Sequence, residues 1–141
     1  MTKRKLYVTV TVFAIAALAL TALAPAGMAQ SKMFQFQAPF DFYAGNTLMP
    51  AGLYSVTLDS TTRATQIYDR SGHVANLLPI ASITGKIGNN RLVFNRYGSM
   101  TFLAEIQWAL SDAGYKVRES KLEKETRLNT SPVRVAVQPR Q

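Results

Sequence analysis

The stretch that decides the fold of this chain is PAGLYSVTLD, residues 50–59. After the proline and glycine, apolar and polar residues alternate, which places Tyr54, Val56 and Leu58 on one face. A period of two is that of a half-buried strand. Turn residues and a second strand-like segment, 63–68, follow, so the sequence predicts a β-hairpin.

Similar alternation continues on both sides of this hairpin. Residues 33–37 alternate before Pro39, which cannot donate to a β-ladder and therefore ends a strand or lies at a sheet edge. Short, closely spaced strands with one apolar face are typical of sandwiches and barrels. We therefore predict an all-β fold, a single antiparallel β-sandwich or partly closed barrel of seven to nine short strands. Further strands are predicted at 40–43, 73–80, 81–87, 91–97 and 115–118.

Residues 100–110 fit two patterns. Phe102, Ile106 and Trp108 alternate as in a strand, whereas Leu103 and Ile106 also fit the spacing of a helix. The flanking turns and the aromatic and β-branched content favour the strand. In that case Phe102, Ile106 and Trp108 lie on one apolar face, and Trp108 is a core residue.

The chain changes character at residue 119. Residues 119–128 contain two pairs of opposite charge at i,i+4 spacing, Lys121–Glu125 and Glu123–Arg127. Such pairs stabilise a helix by only about 0.2–0.5 kcal/mol each. Because the segment has little apolar surface to bury, we predict a short, frayed, charged helix near the C-terminus.

The N-terminus has the order of segments found in a secretory signal peptide, including a signal helix. Basic residues 3–5 precede an apolar run at 6–23, and Gly27 to Ala29 form a small-x-small cleavage triplet. Cleavage there leaves Gln30 as the first residue. The alternative is an uncleaved anchor, because a run of 18 residues lies near the lower limit for crossing a bilayer.

The predicted organisation is therefore a signal peptide at 1–29, a β domain at 30–118, and a charged helix with a basic C-terminal tail at 119–141. Within the tail, residues 133–137 alternate again. The sequence leaves open whether they form a terminal strand or stay mobile.

Composition excludes several classes of function. The 141-residue chain has no cysteine, so it has no disulfide, thiolate metal site or cysteine nucleophile. Of its 16 basic residues, 3 lie in the predicted signal peptide. The rest of the chain contains the other 13 basic residues and all 8 acidic residues. The excess lies in residues 116–141, with 7 basic and 3 acidic side chains. Such a segment can contact an anionic polymer or headgroups, but its interleaved glutamates and the export signal argue against nucleic acid.

Four blocks occur together in a recognisable order: Phe40–Gly45, Leu48–Val56, Leu92–Gly98 and Phe102–Ile106. Over residues 39–125 the chain resembles a group of small, uncharacterised exported bacterial proteins with the layout PFxFxxG…LPAGxYxV…LVFxRYG…FL. Met49 departs from that layout, within a predicted turn region at 46–52. The block at 50–56 is also similar to immunoglobulin-like and carboxypeptidase-regulatory-like sandwiches. The resemblance implies a secreted β domain and no activity, so no functional residues are carried over.

The sequence offers weak candidates for catalysis. His73 is the only histidine, and Asp69 and Ser71 lie close enough in sequence to suggest a triad. A triad needs base and nucleophile in hydrogen-bond reach and an oxyanion hole, so three residues of one exposed turn indicate an ordinary turn. Asp41 and Glu105 are the best carboxylate pair for glycoside hydrolysis, but only by default. No metal, cofactor or catalytic site is predicted.

Arg91, Arg96 and Tyr97 lie on or beside a predicted strand. They could form a polar-aromatic surface that stacks on sugars or binds an extended partner. The simpler interpretation is solvated arginines beside core aromatic residues.

The leading hypothesis is a non-catalytic binding or structural β module, exported to the periplasm, the cell envelope or the outside of a bacterium. Its partner is an unknown envelope or extracellular macromolecule. One alternative is a small carboxylate-based hydrolase or sugar-active enzyme. Another is a periplasmic domain anchored in the inner membrane by residues 6–23.

Overall fold

The computed structural model describes residues 31–85, 87–109 and 113–140. The predicted signal peptide at 1–29, and with it the anchor alternative at 6–23, lies outside the described residues. Within the described ranges, no helix is long and apolar enough to span a membrane.

The all-β prediction is confirmed, since eleven strands and one helix form among the described residues. In chain order they are β1 (Ser31–Ala38), β2 (Phe42–Ala44), β3 (Thr47–Met49), β4 (Gly52–Asp59), β5 (Thr65–Tyr68), β6 (Val74–Leu77), β7 (Pro79–Thr84), β8 (Arg91–Tyr97), β9 (Met100–Trp108), β10 (Ala113–Val117), α1 (Lys121–Asn129) and β11 (Val133–Val137).

Two sheets account for all the strands. The first has the order β1-β4-β5-β6, and the second has the order β11-β8-β9-β10-β7 with the β2–β3 hairpin attached through β9. On one side the C-terminal segment joins the sheets, because Pro139 bridges Phe36 and the Arg140 amide donates to the Gln35 carbonyl at 3.1 Å. On the other side the chain passes from β6 to β7 across Leu78. The result is a partly closed sandwich, and β11 confirms the terminal-strand alternative for residues 133–137.

The strand count exceeds the predicted seven to nine because the predicted turn region at 46–52 contains β3 and the segment 133–137 forms β11. Gly45 has a φ of +63°, a conformation that L side chains rarely adopt, and it lets β2 turn directly into β3. Met49 is fully buried in β3. Its prediction as a turn residue was wrong, because the surrounding asparagine, proline and glycine concealed a strand of only three residues.

Aromatic rings fill the space between the two sheets. Tyr54 of the deciding hairpin stacks on Phe36 at 5.7 Å between ring centroids and meets Phe42 edge-on at 5.5 Å. Phe42 in turn contacts Phe94 of the second sheet at 5.2 Å. Such pairs add about 0.5–1.5 kcal/mol each beyond the burial of their area, so this cluster holds the two sheets together.

The Tyr54 hydroxyl also fixes the turn that precedes its own strand, by donating to the Pro50 carbonyl. Burial, together with the negative charges of Asp69 and Asp41, raises the pKa of Tyr54 to about 12. The hydroxyl therefore remains protonated and keeps this hydrogen bond at physiological pH.

The strand alternative for residues 100–110 is confirmed over β9, but a β-bulge interrupts the alternation. Leu103 pairs with Phe94 and Glu105 pairs with Val93, so Ala104 is an extra residue on β9. A single inserted residue reverses the face to which all later side chains point.

The bulge corrects the prediction that Phe102, Ile106 and Trp108 share one face. Ile106 and Trp108 belong to the main core cluster. Phe102 instead lies on the outer face, stacked on Tyr43 at 5.1 Å and edge-on to Tyr97 at 5.8 Å. The sequence did not reveal the change because alanine fits either face of a strand.

The predicted charged helix is present as α1, but it is less superficial than expected. Lys121 and Glu125 pair at 3.8 Å, as the sequence suggested. Glu123, however, is only 3% exposed, and Arg127 pairs with Glu119 at 3.3 Å instead of with Glu123. The helix is attached to the second sheet by a buried polar side chain, which an analysis of apolar spacing does not detect.

Deleting Ala104 tests the assigned register of β9. Because Ala104 has no partner in the ladder, its removal leaves every β8–β9 pair in place and keeps Leu103 and Ile106 facing the core. We expect this variant to keep the near-ultraviolet dichroism of Trp108 and to unfold cooperatively in urea within about 2 kcal/mol of the parent. Deleting Gln107 instead removes a paired residue and turns Trp108 out of the core, at a cost of about 3–5 kcal/mol. Equal destabilisation by the two deletions would contradict the assigned register.

Candidate functional site

A groove crosses the outer face of the second sheet beneath α1, and we call it the outer groove. It consists of two adjoining cavities of about 350 and 460 Å³ that share Glu105 and Arg134. Arg91 and Gln107 lie at one end, and Lys124 of α1 lies at the other. Because the bulge turns Glu105 and Gln107 outward, the groove exists as a consequence of the register of β9.

The floor of the groove is a connected polar network. Glu105 accepts hydrogen bonds from Arg134 and, at 3.1 Å, from the Gln107 side-chain amide. Gln107 in turn accepts a hydrogen bond from Arg91. Glu105 and Gln107 are 9% and 6% exposed, so both are held in place by their partners. Satisfied networks of this kind are rigid and keep the charges above them in fixed positions.

The charges around the groove are segregated by depth. Lys116, Arg118 and Lys124 are exposed and form no ion pair with any described residue. Two of the acidic residues are already paired with other cations, Glu105 with Arg134 and Glu119 with Arg127. The groove therefore presents unpaired positive charge to solvent.

Glu123 belongs to α1 and lines the side of the groove that the helix covers. Ser120 caps the helix by accepting a hydrogen bond from the Glu123 amide at 3.1 Å. The Glu123 carboxylate accepts hydrogen bonds from Asn95 at 3.1 Å and from the Tyr97 hydroxyl at 3.3 Å. Both donors belong to β8, so this carboxylate fixes the helix on the sheet.

Burial raises the pKa values of both Glu123 and Tyr97. Burial raises the pKa of Glu123, and the charge of Glu119 adds to the effect, whereas hydrogen bonds from Asn95 and Tyr97 and the charge of Arg127 oppose it. Burial, followed by the charge of Glu123, also raises the pKa of Tyr97.

The candidate triad forms an ordinary turn. Asp69 accepts hydrogen bonds from the backbone amides of Ser71 and His73, both at 2.9 Å, and its second oxygen lies 2.8 Å from His73 Nδ1. No described hydrogen bond joins the Ser71 hydroxyl to His73. Burial acts to raise the pKa of Asp69, but the hydrogen bonds from His73 outweigh it, and the pKa is lowered. These contacts stabilise the turn and leave no activated nucleophile.

The candidate carboxylate pair is not brought together. Asp41 accepts a hydrogen bond from the Ala51 amide at 2.7 Å and supports the turn before β4. Glu105 lies in the outer groove, where its acidic neighbours are Glu119 and Glu123. Glu123 is buried, although its place in a charged segment with few apolar residues predicts an exposed helix residue.

The proposed polar-aromatic surface is also divided. Arg91 lies at the outer groove, but Arg96 stacks over the Phe40 ring with its guanidinium carbon 4.5 Å from the centroid. Tyr97 is 3% exposed, and its hydroxyl donates to Glu123 of α1. Of these three residues, Arg91 is the one that lines the outer groove.

Among residues 31–85, 87–109 and 113–140, no group of three histidine or acidic side chains could hold a metal ion. Comparisons with protein-family models, with curated proteins and with solved structures found no match to this chain. The function must therefore be argued from the geometry of the site.

Glu123→Gln tests the buried carboxylate. Since the folded state holds the proton of Glu123 to a higher pH than the unfolded chain, stability is lost as pH rises from the ordinary glutamate pKa of about 4.3 to the raised value. The variant cannot titrate, so its free energy of unfolding should increase relative to the parent across that window. Urea unfolding from about pH 4 to about pH 8 measures it.

Glu125→Gln is the matched control, because the Glu125 side chain is 61% exposed. Its stability relative to the parent should not change with pH in the same way. Equal pH profiles for the two variants would show that Glu123 is solvated.

Proposed function

We propose that the protein is an exported, non-catalytic binding module that holds a macromolecule of the cell envelope or the extracellular space. The single observation that carries the proposal is the set of exposed, unpaired cations above the rigid floor of the outer groove. Lys116, Arg118 and Lys124 have no partner charge within the described part of the chain. Unpaired charge on a fixed concave surface favours an oppositely charged partner.

The dimensions of the groove favour a macromolecule over a small ligand. Its two adjoining cavities lie along β8 and β9 and are open to solvent, with Arg91 and Lys124 at opposite ends. A small ligand is normally enclosed over most of its surface. An extended polymer instead contacts a long groove at several points in succession.

Export is proposed from the N-terminal pattern alone. The basic, apolar and small-residue segments of 1–29 are those of a cleavable signal. A bacterial periplasm, cell surface or external medium is consistent with a domain that lacks cysteine.

A second candidate function, a carboxylate-based sugar-active enzyme, is favoured by one observation. Glu105 and Glu123 line the same cavity, and burial raises the pKa of Glu123 while Arg134 pairs with Glu105. Differently placed carboxylates can act as acid and base. Both side chains, however, are about nine-tenths buried and already accept hydrogen bonds, which favours a structural role.

Crosslinking and affinity capture of the tagged full chain from the cells that produce it tests the proposal. We expect one dominant partner, recovered with a protein whose N-terminal peptide begins at Gln30. Lys116→Glu combined with Lys124→Glu should remove that partner, because the reversed charges repel an anion. Arg63→Glu combined with Arg70→Glu makes the same change in charge in two exposed turns outside the groove and should retain that partner.

Two results would overturn the proposal. One is equal capture by both double variants, which would place binding elsewhere. The other is turnover of a substrate by the purified protein that is lost on Glu105→Ala or His73→Ala. A full-length chain in the membrane fraction would replace the cleaved signal with the anchor at 6–23.

A further inference from the structure

Building on the proposed function, we infer that the outer groove binds an acidic polysaccharide, a polymer whose sugar units carry both carboxylates and free hydroxyl groups. The proposed function requires only a macromolecule. The chemistry of the groove narrows the class of macromolecule, because exposed cations and less exposed carboxylates line the same surface.

The cations require acidic groups on the ligand. Lys116, Arg118 and Lys124 lie around one cavity without partner charges among the described residues. In the adjoining cavity, Arg91 donates to the neutral amide oxygen of Gln107 and has no ion pair within the described ranges. Carboxylates placed at intervals along a polymer can pair with these groups through charge-assisted hydrogen bonds.

The acidic residues of the groove favour a ligand that also carries hydrogen-bond donors. Glu105 and Glu119 line the cavity that holds the three cations. A carboxylate has about four acceptor positions, and Glu105 uses two of them, for Arg134 and Gln107. A polyanion without donors, such as polyphosphate, would leave these acceptor positions unpaired, whereas sugar hydroxyls can donate to them.

The apolar part of the surface fits sugar rings. Ile80 and Ala104 line the same cavity as the charged groups, together with the buried Val117. Ile80 is 52% exposed. The carbon-bound hydrogens of a pyranose ring can cover such side chains while the hydroxyls reach the polar floor. A flat layer of anionic headgroups cannot enter the concave surface in this way.

This inference is tested by expressing the full chain, purifying the protein after export, and measuring its affinity for four probes. They are polygalacturonate, the same polymer with its carboxylates methyl-esterified, polyphosphate, and vesicles of phosphatidylglycerol. We expect polygalacturonate to bind most tightly and to weaken as salt increases. Esterification should weaken binding at least about tenfold, since it removes the charge-assisted hydrogen bonds.

A pair of variants connects this binding to the groove. Arg118→Gln should weaken binding of polygalacturonate about tenfold. Arg70→Gln removes the same charge from an exposed turn that does not line the groove, and it should leave binding unchanged. Equal effects of the two substitutions would overturn the site.

The remaining outcomes separate this inference from the proposed function. The inference of an acidic polysaccharide is overturned if the esterified polymer binds as tightly as polygalacturonate. It is also overturned if polyphosphate or the vesicles bind more tightly than polygalacturonate. If none of the four probes binds but the cellular partner is still captured through Lys116 and Lys124, the polysaccharide inference fails and the proposed function survives. Loss of that capture overturns both.

Discussion

One extra residue in β9 determines how the rest of the molecule is arranged. Ala104 has no partner in the ladder with β8, and the strand therefore presents opposite faces before and after it. On one side Leu103 faces the core and Phe102 faces outward, and on the other Ile106 faces the core and Glu105 faces outward. The same bulge thus places Leu103 and Ile106 in the core, Phe102 against Tyr97 on the outer face, and the Glu105 carboxylate on the floor of the outer groove.

The groove shows how burial and charge are coupled. Arg134 of β11 reaches across β8 to Glu105, which neutralises the buried carboxylate and fixes its position. Glu123 is satisfied by donors from β8 and attaches α1 to the sheet. Because Glu105 and Glu119 are paired with arginines and Glu123 is buried, Lys116 and the other exposed cations determine what the surface attracts.

The sequence predicted the elements better than it predicted their arrangement. The alternation of Tyr54 and its neighbours directly encodes burial, and the structure confirms it. The serine and glutamate at Ser120 and Glu123 have the spacing of a capping box, a usable signal for the helix start that apolar periodicity overlooks. The groove could not be predicted, because Arg91, Glu105 and Arg134 come from three strands whose order is set by long-range pairing.

The central claim is that the outer groove is the binding surface of this protein. Mapping amide chemical shifts by nuclear magnetic resonance while polygalacturonate is added tests it residue by residue. The account predicts saturable shifts confined to 91–95, 104–107, 116–124 and residues around Arg134. Shifts centred on the Asp69–His73 turn or on the first sheet, with the groove unchanged, would contradict it.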